Sequence, residues 1–205
     1  IQIFADKFGN VVHLFDRDCS LQRRQQKVIE EAPSPNLNNE IQHFLGELSV
    51  KAARAIKYLG AGTIEFIADI QNGIDKNKIY FMEMNTRIQV EHPVTEAITS
   101  TNLIDWQLKI ANGEKLPVSQ NDIKINGWAF EARLYAEDVN KNFLPQSGKI
   151  YHLKFPDTLN HPNCIVETGT KSGDNITPFY DPMIAKVIAH GNKRNAAIKH
   201  LINYL

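Results

Sequence analysis

Gly62-Thr63-Ile64-Glu65-Phe66-Ile67, a polar turn around Gln71-Asn72-Gly73, and Lys78-Ile79-Tyr80-Phe81-Met82-Glu83-Met84-Asn85 read as two strands joined in one hairpin. Both runs are rich in β-branched and aromatic residues, and turn-forming residues separate them. Side chains two apart on a strand share a face. Glu83, Asn85 and, if the strand persists, Arg87 therefore point the same way, and Glu65 can lie across from them with Ile67 beside it. Two carboxylates and an amide oxygen on one sheet face make an oxygen-rich site for a hard cation. Mg2+ suits such a site, because it takes few protein carboxylates and fills its other positions with water and phosphate oxygens. Carboxylates brought together without a cation repel each other and resist burial. The same parity also describes a solvated polar face with surface salt bridges.

Working outward, residues 1–6 and 10–17 alternate as strands around the turn Asp6-Lys7-Phe8-Gly9-Asn10. Residues 22–31 continue as a polar strand, stopped by Ala32-Pro33-Ser34-Pro35. A helix is expected next, since Ile41, Leu45, Leu48, Ala52, Ile56 and Leu59 recur at spacings of three and four. Asn36 or Asn38 can cap its start, and Gly60 takes the position after its end. On the other side, a helical stretch from Val94 to Asn112 ends at Gly113. Strands are expected at Trp128 to Tyr135, Lys149 to Phe155, Ile165 to Thr168 and Met183 to Ala189, with a last helix from near Asn192. The fold class is α+β, with a change of character between about residues 92 and 105. This divides the chain into residues 1–95 and 96–205.

The 205 residues are 42% hydrophobic and 22% charged, an ordinary globular mixture, and 23 basic side chains balance 23 acidic ones. That balance argues against nucleic acid or an anionic membrane as the main partner, since both select for basic patches. No apolar run reads as a membrane span, and no signal-peptide pattern is present. Two cysteines, Cys19 and Cys164, make no disulfide framework. They point to a reducing compartment, the cytoplasm or, in a eukaryote, the mitochondrial matrix. The chain opens on the strand Ile1-Gln2-Ile3-Phe4-Ala5 and closes on an uncapped apolar helix, so both ends read as cuts inside a longer protein.

Two runs are dense in functional side chains: Arg17-Asp18-Cys19-Ser20-Leu21-Gln22-Arg23-Arg24-Gln25-Gln26-Lys27, and Glu83-Met84-Asn85-Thr86-Arg87-Ile88-Gln89-Val90-Glu91-His92-Pro93-Val94-Thr95-Glu96. As a solvated face, the first is an ordinary basic stretch. As a site, Lys27 and Arg87 are cations suited to an oxyanion, which Arg can hold bidentately, and Glu91 can serve as a base.

These runs, with Gly60-Ala61-Gly62-Thr63, Ala136-Glu137-Asp138, Phe143-Leu144-Pro145, Ser147-Gly148-Lys149-Ile150 and Tyr180-Asp181-Pro182-Met183, resemble biotin carboxylase of the ATP-grasp superfamily over essentially the whole chain. The resemblance implies the C-terminal part of an ATP-grasp domain followed by a biotin carboxylase C-terminal domain. It implies that Glu65, Glu83 and Asn85 hold Mg2+ or Mn2+ ions bridging the ATP phosphates. Lys27, Arg87, Gln89, the Val90 backbone and Glu91 would hold bicarbonate, with Glu91 as its base and Arg87 stabilising charge on carboxyphosphate and on biotin. Arg133 would approach carrier-bound biotin, and Gln22, Gln25, Ile67 and Met82 would lie near the nucleotide. The implied partners are a biotin carboxyl carrier domain, a carboxyltransferase subunit or domain, and a second copy of the chain.

Two residues depart from the family's pattern: Asp16 replaces a usual glutamate, and Gln25 a usual histidine, which puts one nucleotide contact in doubt. No G-x-G-x-x-G or Walker A run is present, so the isolated chain is expected to be inactive. The alternatives are another ATP-grasp carboxylate–amine ligase, or a non-catalytic assembly module. The stretch Tyr180-Asp181-Pro182-Met183-Ile184-Ala185-Lys186 resembles acyl-CoA carboxylase α subunits of the methylcrotonyl or propionyl type, with acetyl-CoA and pyruvate carboxylases also open. His13, His43, His92, His200, Cys19, Trp106 and Trp128 are read as structural.

Overall fold

One carboxylate fixes the first turn of the chain. Asp6 accepts hydrogen bonds from the Phe8 and Asn10 backbone N–H groups at 2.8 and 3.0 Å, and from the Asn10 amide at 2.7 Å. Leu116 N–H adds another at 3.0 Å. Burial alone would raise the Asp6 pKa, but the bonds from Asn10, Leu116 and Phe8 together hold it below the usual carboxylate value. The computed structural model describes residues 1–71, 73–157 and 159–205. Asn72, in the turn expected at Gln71-Asn72-Gly73, lies outside them.

In chain order the elements begin with β1 (Gln2–Ala5), β2 (Val11–His13), β3 (Asp18–Arg23) and β4 (Gln26–Ala32). Then come α1 (Asn39–Ala55), β5 (Gly60–Ala68), β6 (Ile79–Asn85), α2 (His92–Thr99) and α3 (Leu103–Ala111). The remainder is β7 (Trp128–Tyr135), β8 (Glu137–Asp138), β9 (Leu144–Pro145), β10 (Gly148–Lys149), β11 (Cys164–Thr168), β12 (Asn175–Ile176), β13 (Met183–Gly191) and α4 (Arg194–Tyr204). The chain divides into two compact units, residues 1–18 with 31–126, and residues 19–30 with 127–205.

The first unit is built on a four-stranded sheet of order β2-β1-β5-β6, antiparallel throughout. Ile3, Ala5, Val11, Ile41, Leu45, Val50 and Ala53 form one core cluster. Phe4, Val12, Leu14 and Ala61 form another with Leu103, Trp106 and Ile110 of α3. The Trp106 ring meets Phe4 edge-on at 5.5 Å. Residues 96–126 therefore complete this unit, and the division of the structure differs from a cut at residue 95. The apolar side of α3 finds its burial on the first sheet, which the change of composition near residue 92 does not reveal.

Helix α1 starts as expected, with the Asn38 side chain accepting from Ile41 N–H at 2.9 Å. Its end and its inner face both differ from expectation. It stops at Ala55, where Lys57 takes a left-handed backbone, and Gly60 opens β5 instead of following the helix. The buried face runs through Ile41, Leu45, Gly46, Ser49, Val50 and Ala53. Leu48, Ile56 and Leu59 are 40%, 59% and 54% exposed. Gly46 explains the rotation. A Cβ there would lie 2.5 Å from Nε2 of the buried His13 ring, so only glycine lets α1 settle this closely on β2. The Val94–Asn112 stretch is two helices, because Ser100 adopts a left-handed backbone. Asn102 then caps α3 by accepting from Asp105 N–H at 2.8 Å.

The second unit holds a five-stranded sheet of order β11-β13-β7-β4-β3. Phe130, Ala132, Cys164, Val187 and Ala189 pack there with Ala197, Leu201 and Tyr204 of α4. Both cysteines are free thiols. In place of one polar strand over 22–31, the chain turns at Arg24-Gln25, both with positive φ (52° and 65°), the pair of conformations a two-residue hairpin turn requires. The strand expected at Lys149–Phe155 is confined to Gly148–Lys149, paired with Asn175–Ile176.

Gly46 supplies a test of the α1 packing. Gly to Ala at a helix interior normally stabilises by roughly 1 kcal/mol. Here overpacking against His13 reverses the sign, and Gly46→Ala should destabilise by about 1–3 kcal/mol in urea denaturation. A stabilised variant would show that α1 does not sit on His13 as described.

Candidate functional site

The β5–β6 ladder sets the site. Glu65 pairs directly with Glu83, and Thr63 with Asn85. Directly opposed residues share a face, so Glu65, Glu83 and Asn85 converge as strand parity expects. The Asn85 amide donates to Glu65 Oε1 at 3.2 Å and to Glu83 Oε1 at 3.0 Å. The register shifts after Glu65, so that Phe66 pairs with Phe81 and Met82 is the extra residue of a β-bulge. Ile67 and Met82 are both exposed, beside the exposed Tyr80 and Phe81.

The strand does not persist to Arg87. It ends at Asn85, and Arg87 sits in a bend, exposed, its Nη1 donating to the Ile88 carbonyl at 3.1 Å. The segment then turns inward. Gln89 is buried and its Nε2 donates to Glu65 Oε1 at 2.7 Å. Val90 is half-buried, and the buried Glu91 is the N-cap residue of α2. His92 follows, its Nδ1 2.8 Å from the Gln89 carbonyl, in keeping with a role in shaping this turn.

The structure thus brings together Glu65, Glu83, Asn85 and Gln89, with Arg87, Val90 and Glu91 on the segment that follows. Gln22, Gln25, Lys27 and Arg133 belong to the other unit. Gln22 donates to the Cys19 carbonyl at 2.8 Å, Gln25 stands in the β3–β4 turn, and Lys27 is half-buried on β4. Arg133 is tied to the fully buried Glu30, Nε to Oε1 at 2.7 Å with a second contact through Nη2.

Among the described residues, no group of three or more His, Cys, Asp and Glu side chains gathers as a metal site. The polar side chains that converge on the hairpin are two carboxylates and one amide. Sequence reasoning passed over Arg17. Its guanidinium donates to Gln2, Thr63, Gln89 and Thr95. No periodicity marks such a residue, because its partners come from four separate segments.

Opposed carboxylates make a specific expectation. Glu83→Gln keeps an acceptor for Asn85 and removes one of two like charges. Its melting midpoint in EDTA should rise slightly above that of the unchanged protein in calorimetry. A lower midpoint would mean that the two carboxylates do not oppose each other.

A family model described as carbamoyl-phosphate synthase L chain, ATP binding domain, matches residues 1–119. A second, described as biotin carboxylase C-terminal domain, matches residues 131–205. The chain is 53% identical over 201 residues to the mitochondrial methylcrotonoyl-CoA carboxylase subunit alpha of Mus musculus, covering 98% of this chain and 27% of that protein. It is 52% identical over 203 residues to biotin carboxylase 2 of Bacillus subtilis (strain 168), covering 98% and 43%. Among solved structures, the biotin carboxylase domain of Hydrogenobacter thermophilus 2-oxoglutarate carboxylase, in complex with MgADP, ADP and bicarbonate, superposes with a TM-score of 0.92 at 47% identity. That match covers 99% of this chain and 43% of the other.

Proposed function

Since the chain belongs to the biotin carboxylase family of ATP-grasp enzymes, we propose that it supplies the metal-binding hairpin and bicarbonate segment of a biotin-dependent carboxylase. The enzyme it serves would use MgATP and bicarbonate to carboxylate carrier-bound biotin. The chain spans 27% and 43% of the two curated relatives named above, so the activity is proposed for the whole enzyme and the isolated chain is taken as inactive. The observation that carries the reading is the convergence of Glu65, Glu83, Asn85 and Gln89 beside an Arg- and Glu-bearing segment.

The donor set fits a hard dication. Two carboxylates and an amide occupy one face, few enough to leave Mg2+ its positions for phosphate oxygens and water. Bound there, the ion supplies charge neutralisation for phosphoryl transfer, a reaction in which positioning and electrostatics do most of the catalysis. The protein's share is orientation. Gln89 donates from a fixed amide, and the Val90 backbone stands beside it on the same segment. Glu91, at the start of α2, takes the bicarbonate proton. Arg87 stays protonated throughout and, lying on an exposed bend, can turn its donor fork to charge that develops in the transition state. In the nucleotide's vicinity we place Ile67, Met82, Gln22 and Gln25. Lys27 is assigned to bicarbonate and Arg133 to biotin, on the family resemblance.

The acceptor is proposed to lie with a separate carboxyltransferase. Relatives named for methylcrotonoyl-CoA, 2-oxoglutarate, pyruvate and urea all match this chain at 40–53% identity. A carrier domain and a second copy of the chain complete the assembly, by likeness to the dimeric Hydrogenobacter domain.

Bicarbonate- and biotin-dependent ATP cleavage by the full-length enzyme tests the reading. Arg87→Ala should lower kcat by about 10²-fold or more, the scale of one lost preorganised donor. The KM for ATP should change little, since Glu65 and Glu83 are untouched. A near-normal kcat with a greatly raised ATP KM would make Arg87 a nucleotide clamp and overturn its assignment.

A further inference from the structure

We infer that Arg17, outside every role assigned above, is a positioning residue that fixes the orientation of the Gln89 amide. The inference rests on the reading that Gln89 donates to bicarbonate. Arg17 follows β2 and is half-buried. Its Nη1 donates to Gln2 Oε1 at 2.8 Å and Thr95 Oγ1 at 2.9 Å. Its Nη2 donates to Thr63 Oγ1 at 3.1 Å and Gln89 Oε1 at 2.8 Å. All four acceptors are neutral oxygens. The contrast with Arg23 and Arg133 is direct, since those two pair with the carboxylates of Glu137 and Glu30.

The donor-only chemistry of guanidinium decides the amide. A primary amide has one oxygen that accepts and one NH2 that donates, and Arg can only donate. Gln89 must therefore give its oxygen to Arg17. Its nitrogen then faces the other way, and the 2.7 Å bond to Glu65 Oε1 is the result. One Nε2 hydrogen is spent on Glu65, and the second is left to donate to an oxygen of bicarbonate. A Gln89 rotated by half a turn would present its oxygen to both Glu65 and the anion and would repel them. The lock costs a half-buried cation surrounded by neutral acceptors, an expense that packing alone does not require.

The guanidinium is itself held from three elements, since Gln2 lies on β1, Thr63 on β5 and Thr95 on α2, so the donor aimed at Gln89 is fixed in direction. Gln2 is itself oriented, because its Nε2 donates to the Gly62 carbonyl at 2.9 Å.

Arg17→Met, Gln89→Leu and the double variant, each in the full-length enzyme, test the inference. Arg17→Met should lower kcat for bicarbonate-dependent ATP cleavage about 10- to 100-fold, the scale of a misplaced catalytic group. It should also raise the bicarbonate KM more than the ATP KM. In the Gln89→Leu background the Arg17→Met loss should nearly vanish, because Arg17 acts through Gln89. Losses that multiply independently would make Arg17 a general scaffold residue and overturn the inference. Arg17→Lys covers the case in which Arg17→Met does not fold. A single ammonium cannot span four oxygens, so a smaller loss is expected, again absent in the Gln89→Leu background. A crystal structure of Arg17→Met reads the claim without activity. The Gln89–Glu65 bond should be lost, and its retention would overturn the inference. No bicarbonate-dependent turnover in the unchanged enzyme would instead defeat the biotin carboxylase reading, while the crystal structure still judges Arg17.

Discussion

The direct opposition of Glu65 and Glu83 across the β5–β6 ladder constrains everything around it. Two carboxylates cannot share a sheet face cheaply, and the surroundings answer that problem in layers. Asn85 places one amide against both, and Gln89 brings a second against Glu65. The bulge at Met82 shifts the pairing just past the pair, so that the carboxylates sit where the ladder changes register. A one-residue slip of β6 would carry Glu83 and Asn85 to the opposite face and dismantle the site at once. The register is held by burial on both faces, since Ile64 on the opposite face and Thr63 and Ala61 on the same face are all inside the first unit.

Several charges of the second unit meet opposite charges: Arg133 with the buried Glu30, Lys186 with Glu167 at 2.9 Å, and Arg23 with Glu137 while stacking 4.1 Å from the Phe143 ring. Such pairs order a sheet face. In the first unit, the Arg17 cation is met by neutral amide and hydroxyl oxygens, and the Gln89 amide bridges it to Glu65. No helix among the described residues is long and apolar enough to cross a membrane.

Much of this was legible in the sequence because it rests on local periodicity. The alternation in Gly62–Ile67 and Lys78–Asn85 placed Glu65, Glu83 and Asn85 on one face, and Trp128–Tyr135 emerged with its expected bounds. The inner face of α1 was misread because Leu48, Ile56 and Leu59 outweigh Gly46 and Ser49 on any hydrophobicity pattern, while the packing against His13 selects the smaller residues. The break at Ser100 was missed because the apolar residues on both sides keep a helical spacing. Arg87 was expected on the same face only if the strand persisted, and the strand ends two residues earlier. Arg17 was out of reach for a deeper reason: its four partners lie up to 78 positions away along the chain. Only the resemblance to a family, not any pattern in the residues, could attach chemistry to Arg133.

The central claim is that Glu65 and Glu83 hold a divalent cation together with a nucleotide. Electron paramagnetic resonance of Mn2+ titrated into the full-length enzyme with ADP measures this directly. The account predicts an enzyme-bound Mn2+–ADP signal that the Glu65→Gln, Glu83→Gln double variant weakens by at least about tenfold in affinity, the scale of disturbed metal ligation. Equal Mn2+ affinity in the two proteins would contradict it, and the opposed carboxylates would then be a solvated face and nothing more.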